Sequence, residues 1–414
     1  MKIWLKMLIA ILIGLVVGIF IPKNIVFIED IIKFLTSLSI NSLLYLTLIY
    51  IATKIFLSVI SLKQNKISIL KLFLIFFLCI IISLLLSVIV SIGFMNLNIF
   101  QPDESFSIFQ NKAEPIKTYS FFDMILNIVN SNMLSSFQGP TQFILPVIFI
   151  ALIFGLSAFN TNKKGLYFIE TVSSLDEILS KITHQIIEIF PFLSVFVVIF
   201  LVRQNLFTED KIKFLFKPLM AILLITFILT VFYTVFLSLV IKNNTPKFYL
   251  GILGAALTGF ISGNSVAAII SLNEHLKRNI GVKKHIADFL TPMGMILNKS
   301  GTIIVTTITL MTVILGYSPN ILDLKLQIGL FFLLFVFSFL LDGINEAGFL
   351  AVVSMIMHIP SLHLEQNSYL LFLIFVPILS RIGIFLDILT TGIFITIVAK
   401  VTDNIDKKEY IDFI

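Results

Sequence analysis

Residues 250–272 read LGILGAALTGFISGNSVAAIISL. Both ends of this stretch are apolar, and Ser262-Gly263-Asn264-Ser265 interrupts its middle. The stretch has the length of a membrane crossing, which takes about 20 apolar residues. A polar, glycine-containing break at membrane depth is costly unless it lies against protein or a water-filled cavity. The stretch therefore predicts two helical arms meeting at a tip, a re-entrant hairpin rather than one continuous crossing. A second segment, Leu326–Met357, repeats the pattern around Asp342-Gly343-Ile344-Asn345-Glu346-Ala347-Gly348. For both segments the alternative is two full crossings or a kinked helix.

The rest of the chain fits the same solvent. Of its 414 residues 58% are hydrophobic, only 13% are charged, and 43 are Phe. Mean hydropathy is +1.06, whereas soluble domains carry roughly one-quarter charged residues. Such surface is stable in lipid, where the backbone must satisfy itself within helices or a closed barrel. Barrel strands alternate apolar and polar residues. Ile9–Ile21 and Leu70–Ile92 are instead apolar on every side, so the fold class is all-α integral membrane. Further spans are predicted at Trp4–Ile21, Ile40–Leu62, Leu70–Met95, Phe143–Phe159, Tyr167–Val202, Phe214–Ile241, Ile286–Leu315 and Tyr369–Ala399. No small-x-small cleavage site follows the first, so it reads as a retained helix and not a signal peptide.

The net charge of +6 does not indicate nucleic acid, because the basic residues lie between apolar segments. Lys63, Lys66, Lys163, Lys164, Lys242, Lys247, Lys277, Arg278, Lys283, Lys284, Lys400, Lys407 and Lys408 share one side in the topology that these spans give. The positive-inside bias makes that side cytoplasmic and puts both termini inside. A cell-membrane location follows. Cys79 is the only cysteine, which excludes a disulfide within the chain. His184, His275, His285, His358 and His363 are scattered, and no cluster has metal-ligand spacing.

Order matters in the second half. A hairpin and a spanning helix (250–276, then 286–316) are followed by another hairpin and helix (326–358, then 369–400), entering from opposite sides. Inverted repeats with broken segments place a substrate site near the bilayer midplane. Half-helices meeting at a tip aim N–H groups and positive dipole ends into such a site, which suits a carboxylate. Ser262, Asn264 and Ser265 add hydroxyl and amide contacts, although ordinary capping explains the same residue types. Asn298, Gly301 and Thr302 predict an unwound turn with free carbonyls. Lys299, Arg381, Asp387 and Glu346 are ionisable groups within apolar segments, and such groups mark functional paths by default. Lys299 needs a partner, and Asp387 is the expected one; snorkelling to an interface is the alternative. Arg381 suits bidentate pairing with a carboxylate, either of a substrate or of Glu346 or Asp342.

Several stretches resemble the sodium:dicarboxylate symporter family, the glutamate transporter homologues. Ile128-Val-Asn-Ser-Asn132, Gln142-Phe-Ile-Leu-Pro146 and Ile153-Phe-Gly155 look like its fourth helix region, and Ile189-Phe-Pro191 like its fifth helix. Leu290-Thr-Pro-Met-Gly294 with Asn298-Lys-Ser-Gly-Thr302 is similar to its seventh, where the family has Asn-Met-Asp-Gly-Thr. Thr391-Gly-Ile-Phe-Ile-Thr-Ile-Val-Ala-Lys400 resembles its last helix. The resemblance covers nearly the whole chain. It implies about eight transmembrane helices, two re-entrant hairpins and a homotrimer moving like an elevator. Residues 1–245 would be mainly scaffold and trimerisation helices, with part of the transport unit near 70–95, and residues 246–414 the transport core.

By that resemblance Ser265 and Thr302 fall on substrate-contacting positions, and Asp387 replaces a substrate-binding Asn. Asn298 would serve a cation site. Ser300 replaces one cation-binding Asp, Thr391 replaces another, and Lys299 replaces the Met. The Lys299 ammonium is therefore expected to fill part of a cation site, leaving coupling weakened, proton-based or absent. Ser380 and Gly383 replace the residues that select acidic substrates, with Arg381 beside them as a substitute. Asn345, Glu346 and Gly348 fall on the second hairpin's gate. The expected function is secondary transport of a small anionic or zwitterionic substrate across the lipid bilayer, driven by sodium or protons, with no cofactor. An uncoupled facilitator or anion channel is the main alternative. An intramembrane hydrolase would need a Gly-x-Ser-x-Gly elbow or a matched base, and neither is present.

Overall fold

The computed structural model describes the chain except residues 1, 22–25, 96–143, 161–162, 204–208, 242–244, 318–323, 339–351, 354–355, 357–374 and 410–412. In chain order the helices are α1 (Ile3–Phe20), α2 (Val26–Leu44), α3 (Thr47–Gln64), α4 (Ile69–Met95), α5 (Leu145–Phe159), α6 (Lys163–Arg203) and α7 (Glu209–Ile241). They continue as α8 (Thr245–Ser262), α9 (Ser265–His275), α10 (Lys284–Leu297), α11 (Ser300–Tyr317), α12 (Leu324–Ser338) and α13 (Val376–Val401). A π-helical turn, Leu276–Ile280, follows α9. Among the described residues seven helical stretches are long and apolar enough to cross a membrane, and no strand forms beyond an isolated Val282–Ile405 bridge. The fold class is the expected one, a multi-pass, all-α membrane protein.

Two packing groups share the molecule. In the first, α1, α2, α3 and α5 pack with α6 or with one another; in the second, α8 to α11 gather around α13, flanked by α4 and α7, and the two groups meet where α10 packs on α3 and α8 on α1. Small residues set the first group's closest approach. A Cβ on Gly14 would stand 2.7 Å from Val198 Cβ, and one on Gly18 would stand 3.0 Å from Val202 Cβ. Glycines four apart on one face let the α1 and α6 backbones meet, the usual device where no water drives helices together.

The predicted span Ile40–Leu62 begins too late. Helix starts at Val26, and α2 and α3 adjoin across a turn at Tyr45–Leu46. Glu29, Asp30 and Lys33 make the first turns of α2 too polar to register as a crossing. Its hydroxyls are used across the α6 contact instead. Thr36 Oγ1 donates to the Phe196 carbonyl at 3.1 Å, and Ser39 Oγ to that of Leu193 at 3.0 Å.

The two breaks that bear on the site both occur. α8 and α9 part at Gly263–Asn264, and α10 and α11 part at Asn298–Lys299. α12 begins two residues before the predicted second hairpin, Leu326–Met357, and covers its first part; the predicted central break, residues 342–348, lies outside the described residues, as does 369–374 of the predicted last helix.

Candidate functional site

At the first break the chain reverses through Gly263, whose φ of +65° is a left-handed conformation that glycine adopts without penalty. Asn264 is then the N-cap of α9. Its Oδ1 accepts from the backbone N–H groups of Val266 (2.8 Å) and Ala267 (3.3 Å). The Asn264 N–H donates to Ser262 Oγ at 3.3 Å. Ser262 and Asn264 thus hold the tip in shape, while Ser265, the first residue of α9, points its hydroxyl elsewhere. Replacing Asn264 by Ala should cost about 1 kcal/mol through the lost cap. Thermal melting of the purified protein checks this, and a loss much larger would give Asn264 a further role.

The second break is held by α13. Asn298 is extended (φ −89°, ψ 96°) and fully buried. Its Nδ2 donates to Thr390 Oγ1 at 2.8 Å and to Thr391 Oγ1 at 2.9 Å. The Thr390 hydroxyl donates to the Leu386 carbonyl within its own helix (2.8 Å), so Ser300 Oγ, also 2.8 Å away, must donate to Thr390. Asp387, with 0% exposure, caps α11. One carboxylate oxygen accepts the N–H groups of Gly301 (2.6 Å) and Thr302 (3.2 Å), and the other accepts the Thr302 hydroxyl. A carboxylate at a helix N-terminus satisfies orphan donors and opposes the positive dipole end.

Two cations face this junction. Lys299 is only 3% exposed, and its Nζ donates to Ser265 Oγ at 3.3 Å, joining the two breaks. Its charge also acts on Asp387. Arg381 stands on α13 six residues before Asp387, roughly 9 Å along the axis at 1.5 Å per residue. A Cβ on Gly263 would lie 2.9 Å from its guanidinium carbon, so Arg381 is pressed against the first tip. Arg381 Nη1 donates to the Pro377 carbonyl. Ser380 donates to the carbonyl of Val376 in its own helix at 2.6 Å. The N-termini of α9 and α11 therefore meet the buried Lys299 and Asp387, with the half-buried Arg381 against the first tip.

Sequence reading did not single out a second charged cluster between the two packing groups. It joins Lys54 and Tyr50 of α3, Asp176 of α6, Asn273 and Glu274 at the end of α9, Lys277 and Arg278 of the π turn, and Lys284 and Asp288 of α10. Lys277 and Arg278 pair with the buried Glu274 carboxylate at 2.6 and 3.1 Å. Lys54, an ionisable group inside an otherwise apolar stretch of α3, was the available signal.

The profile of the sodium:dicarboxylate symporter family matches residues 3–401. The chain belongs to that family.

Within it, the proton/sodium-glutamate symport protein of Geobacillus stearothermophilus is 22% identical over 285 residues, covering 65% of each chain. The C4-dicarboxylate transport protein of Rhodospirillum rubrum is 26% identical over 301 residues, 68% of this chain and 63% of the relative. The chain thus spans slightly less than two thirds of the length of these relatives. Of the residues singled out from sequence, the structure gathers Ser262, Asn264, Ser265, Asn298, Lys299, Ser300, Thr302, Arg381, Asp387 and Thr391 around the two breaks. Ser380 joins them on α13 with its hydroxyl turned to its own helix. Asp342, Asn345, Glu346 and Gly348 lie outside the described residues.

Proposed function

We propose that this symporter-family chain is a secondary transporter of small carboxylate-bearing solutes, a dicarboxylate or an acidic amino acid, coupled to sodium or protons. One observation carries the reading. Two helix N-termini, the buried Lys299 and the half-buried Arg381 converge on a junction that holds a single carboxylate among its described residues. Helix N-termini favour anions, and the excess of positive charge favours a net negative solute over a neutral or cationic one. The relatives named for glutamate and for C4-dicarboxylates support the same substrate class. The two packing groups fit a fixed scaffold and a moving unit, with α4 travelling with the second. A homotrimer in the cell membrane with both termini cytoplasmic completes the proposal.

The test is uptake of labelled succinate, L-glutamate and L-leucine into proteoliposomes under imposed sodium and pH gradients. Succinate or glutamate should accumulate and leucine should not; leucine uptake without the acids would overturn the reading. Lys299→Met should weaken carboxylate binding by about tenfold or more, the effect of losing one charge-assisted contact. The Lys299 side chain also lies beside the unwound turn, where it can stand in for a bound cation, so the wild-type flux should persist in sodium-free buffer. Strict dependence on several sodium ions would remove that part of the proposal.

A further inference from the structure

The charged cluster between the packing groups has an ordered internal pairing. Within the first group, Lys54 Nζ lies 2.8 Å from an Asp176 oxygen and donates to Ser180 Oγ at 2.8 Å. Within the second, Lys277 pairs with Glu274 at 2.6 Å and with Asp288 at 3.3 Å, and Arg278 pairs with Glu274 at 3.1 Å. Across the seam, Lys284 reaches the other Asp176 oxygen at 2.9 Å and Lys54 approaches Asp288 at 3.9 Å. Asn273 Nδ2 donates across it to the Tyr50 hydroxyl at 2.9 Å. Asp176 and Lys54 are each 1% exposed, Asp288 is 2% exposed, and Lys284 is 60% exposed.

Each buried carboxylate therefore keeps a cation from its own group if the groups part. Asp176 retains Lys54, Glu274 and Asp288 retain Lys277, and Lys284 passes to water, where a lysine is at little cost. Removing one member of a buried pair is what costs most, because it strands the other charge. Alternating access proceeds by rigid-body motion of one bundle against another, and a seam crowded with buried charge would resist it unless the charges divide in this way.

We propose that the cluster is a separable ionic joint between the two groups, and that Lys54 is the positioning residue that lets Asp176 release Lys284 as the seam opens. The inference rests on the transporter reading above. Without Lys54, Asp176 would depend on Lys284 alone among the described cations, and opening would leave its carboxylate unpaired inside the helix bundle. Lys54→Met should then hold the seam closed and slow turnover by about a hundredfold, while substrate binding persists. Adding Asp176→Asn removes the stranded charge and should restore both motion and turnover.

The experiment uses full-length protein in proteoliposomes, with Cys79→Ser and spin labels at Asn65→Cys on the first group and Lys407→Cys beside the second. Interlabel distances, succinate and L-glutamate uptake, and ligand-induced thermal stabilisation are measured for the parent, Lys54→Met, and Lys54→Met/Asp176→Asn. The expected result is loss of the longer-distance population in the single variant and its return in the double variant, with uptake following. Unchanged distances and uptake in the single variant would overturn the joint, and so would a double variant as immobile as the single. Should distances respond as expected while neither acid is transported by any protein, the joint stands and the substrate reading fails.

Discussion

Asp387→Ala is expected to be the most damaging single substitution in the junction, costing about 3 to 5 kcal/mol, the range for removing one member of a buried charged network. Three donors converge on this carboxylate: the N–H groups of Gly301 and Thr302 and the hydroxyl of Thr302. Gly301 is buried with it and Thr302 is half-buried, and alanine offers none of the three donors an acceptor. Lys299 loses the charge that acts on it as well. Asp387→Asn separates the two contributions. Its amide oxygen can still accept both N–H groups, and its NH2 can donate to a turned Thr302 hydroxyl, so the cap survives and only the charge goes. The asparagine variant should melt between wild type and alanine. Thermal melting of all three in detergent is the measurement. An alanine variant as stable as wild type would mean that Asp387 does not anchor α11.

Gly301→Val should abolish ligand binding while the protein still inserts and accumulates. A Cβ at Gly301 would stand 2.3 Å from the Gly383 carbonyl oxygen and 2.6 Å from Leu386 Cβ. Backbone atoms cannot rotate away as a flexible side chain can. A Cβ at Gly383 would in turn stand 2.9 Å from Thr302 Cα. These reciprocal glycine contacts set how closely α11 approaches α13, and that spacing places the Asp387 carboxylate on the α11 N-terminus. Prying the helices apart lengthens several hydrogen bonds together. The expected outcome is normal membrane expression with no stabilisation by succinate or L-glutamate. Retention of wild-type binding by Gly301→Val would show that the close approach is dispensable.

Both breaks of the site were legible because Ser262–Ser265 and Asn298–Gly301 put polar residues and glycine inside apolar runs, a cost that demands a structural answer. Lys299 was expected to pair with Asp387; its ammonium donates to Ser265 across the two breaks, and its charge acts on Asp387. What each polar group does was less legible. Ser262 and Asn264 shape the tip, and Ser380 bonds its own helix; a hydroxyl or amide capping a helix looks no different in sequence from one facing a solute. The start of α2 was hidden because its acidic first turns lower the local hydropathy. The Lys54–Asp176–Lys284 pairing was out of reach for another reason. Its members are separated by more than a hundred residues at each step, and only the packing of α3, α6 and α10 brings them together.

A cation borne on a four-carbon tether has no reservoir on either side of the bilayer. If the Lys299 ammonium stands where a diffusing ion would otherwise ride, each cycle forgoes the work that ion would have drawn from the membrane voltage. That work is about 2.3 kcal/mol per charge at 100 mV, and its loss lowers the attainable uphill concentration ratio by about fiftyfold. Such a carrier suits an environment where its solute is plentiful and speed is worth more than scavenging.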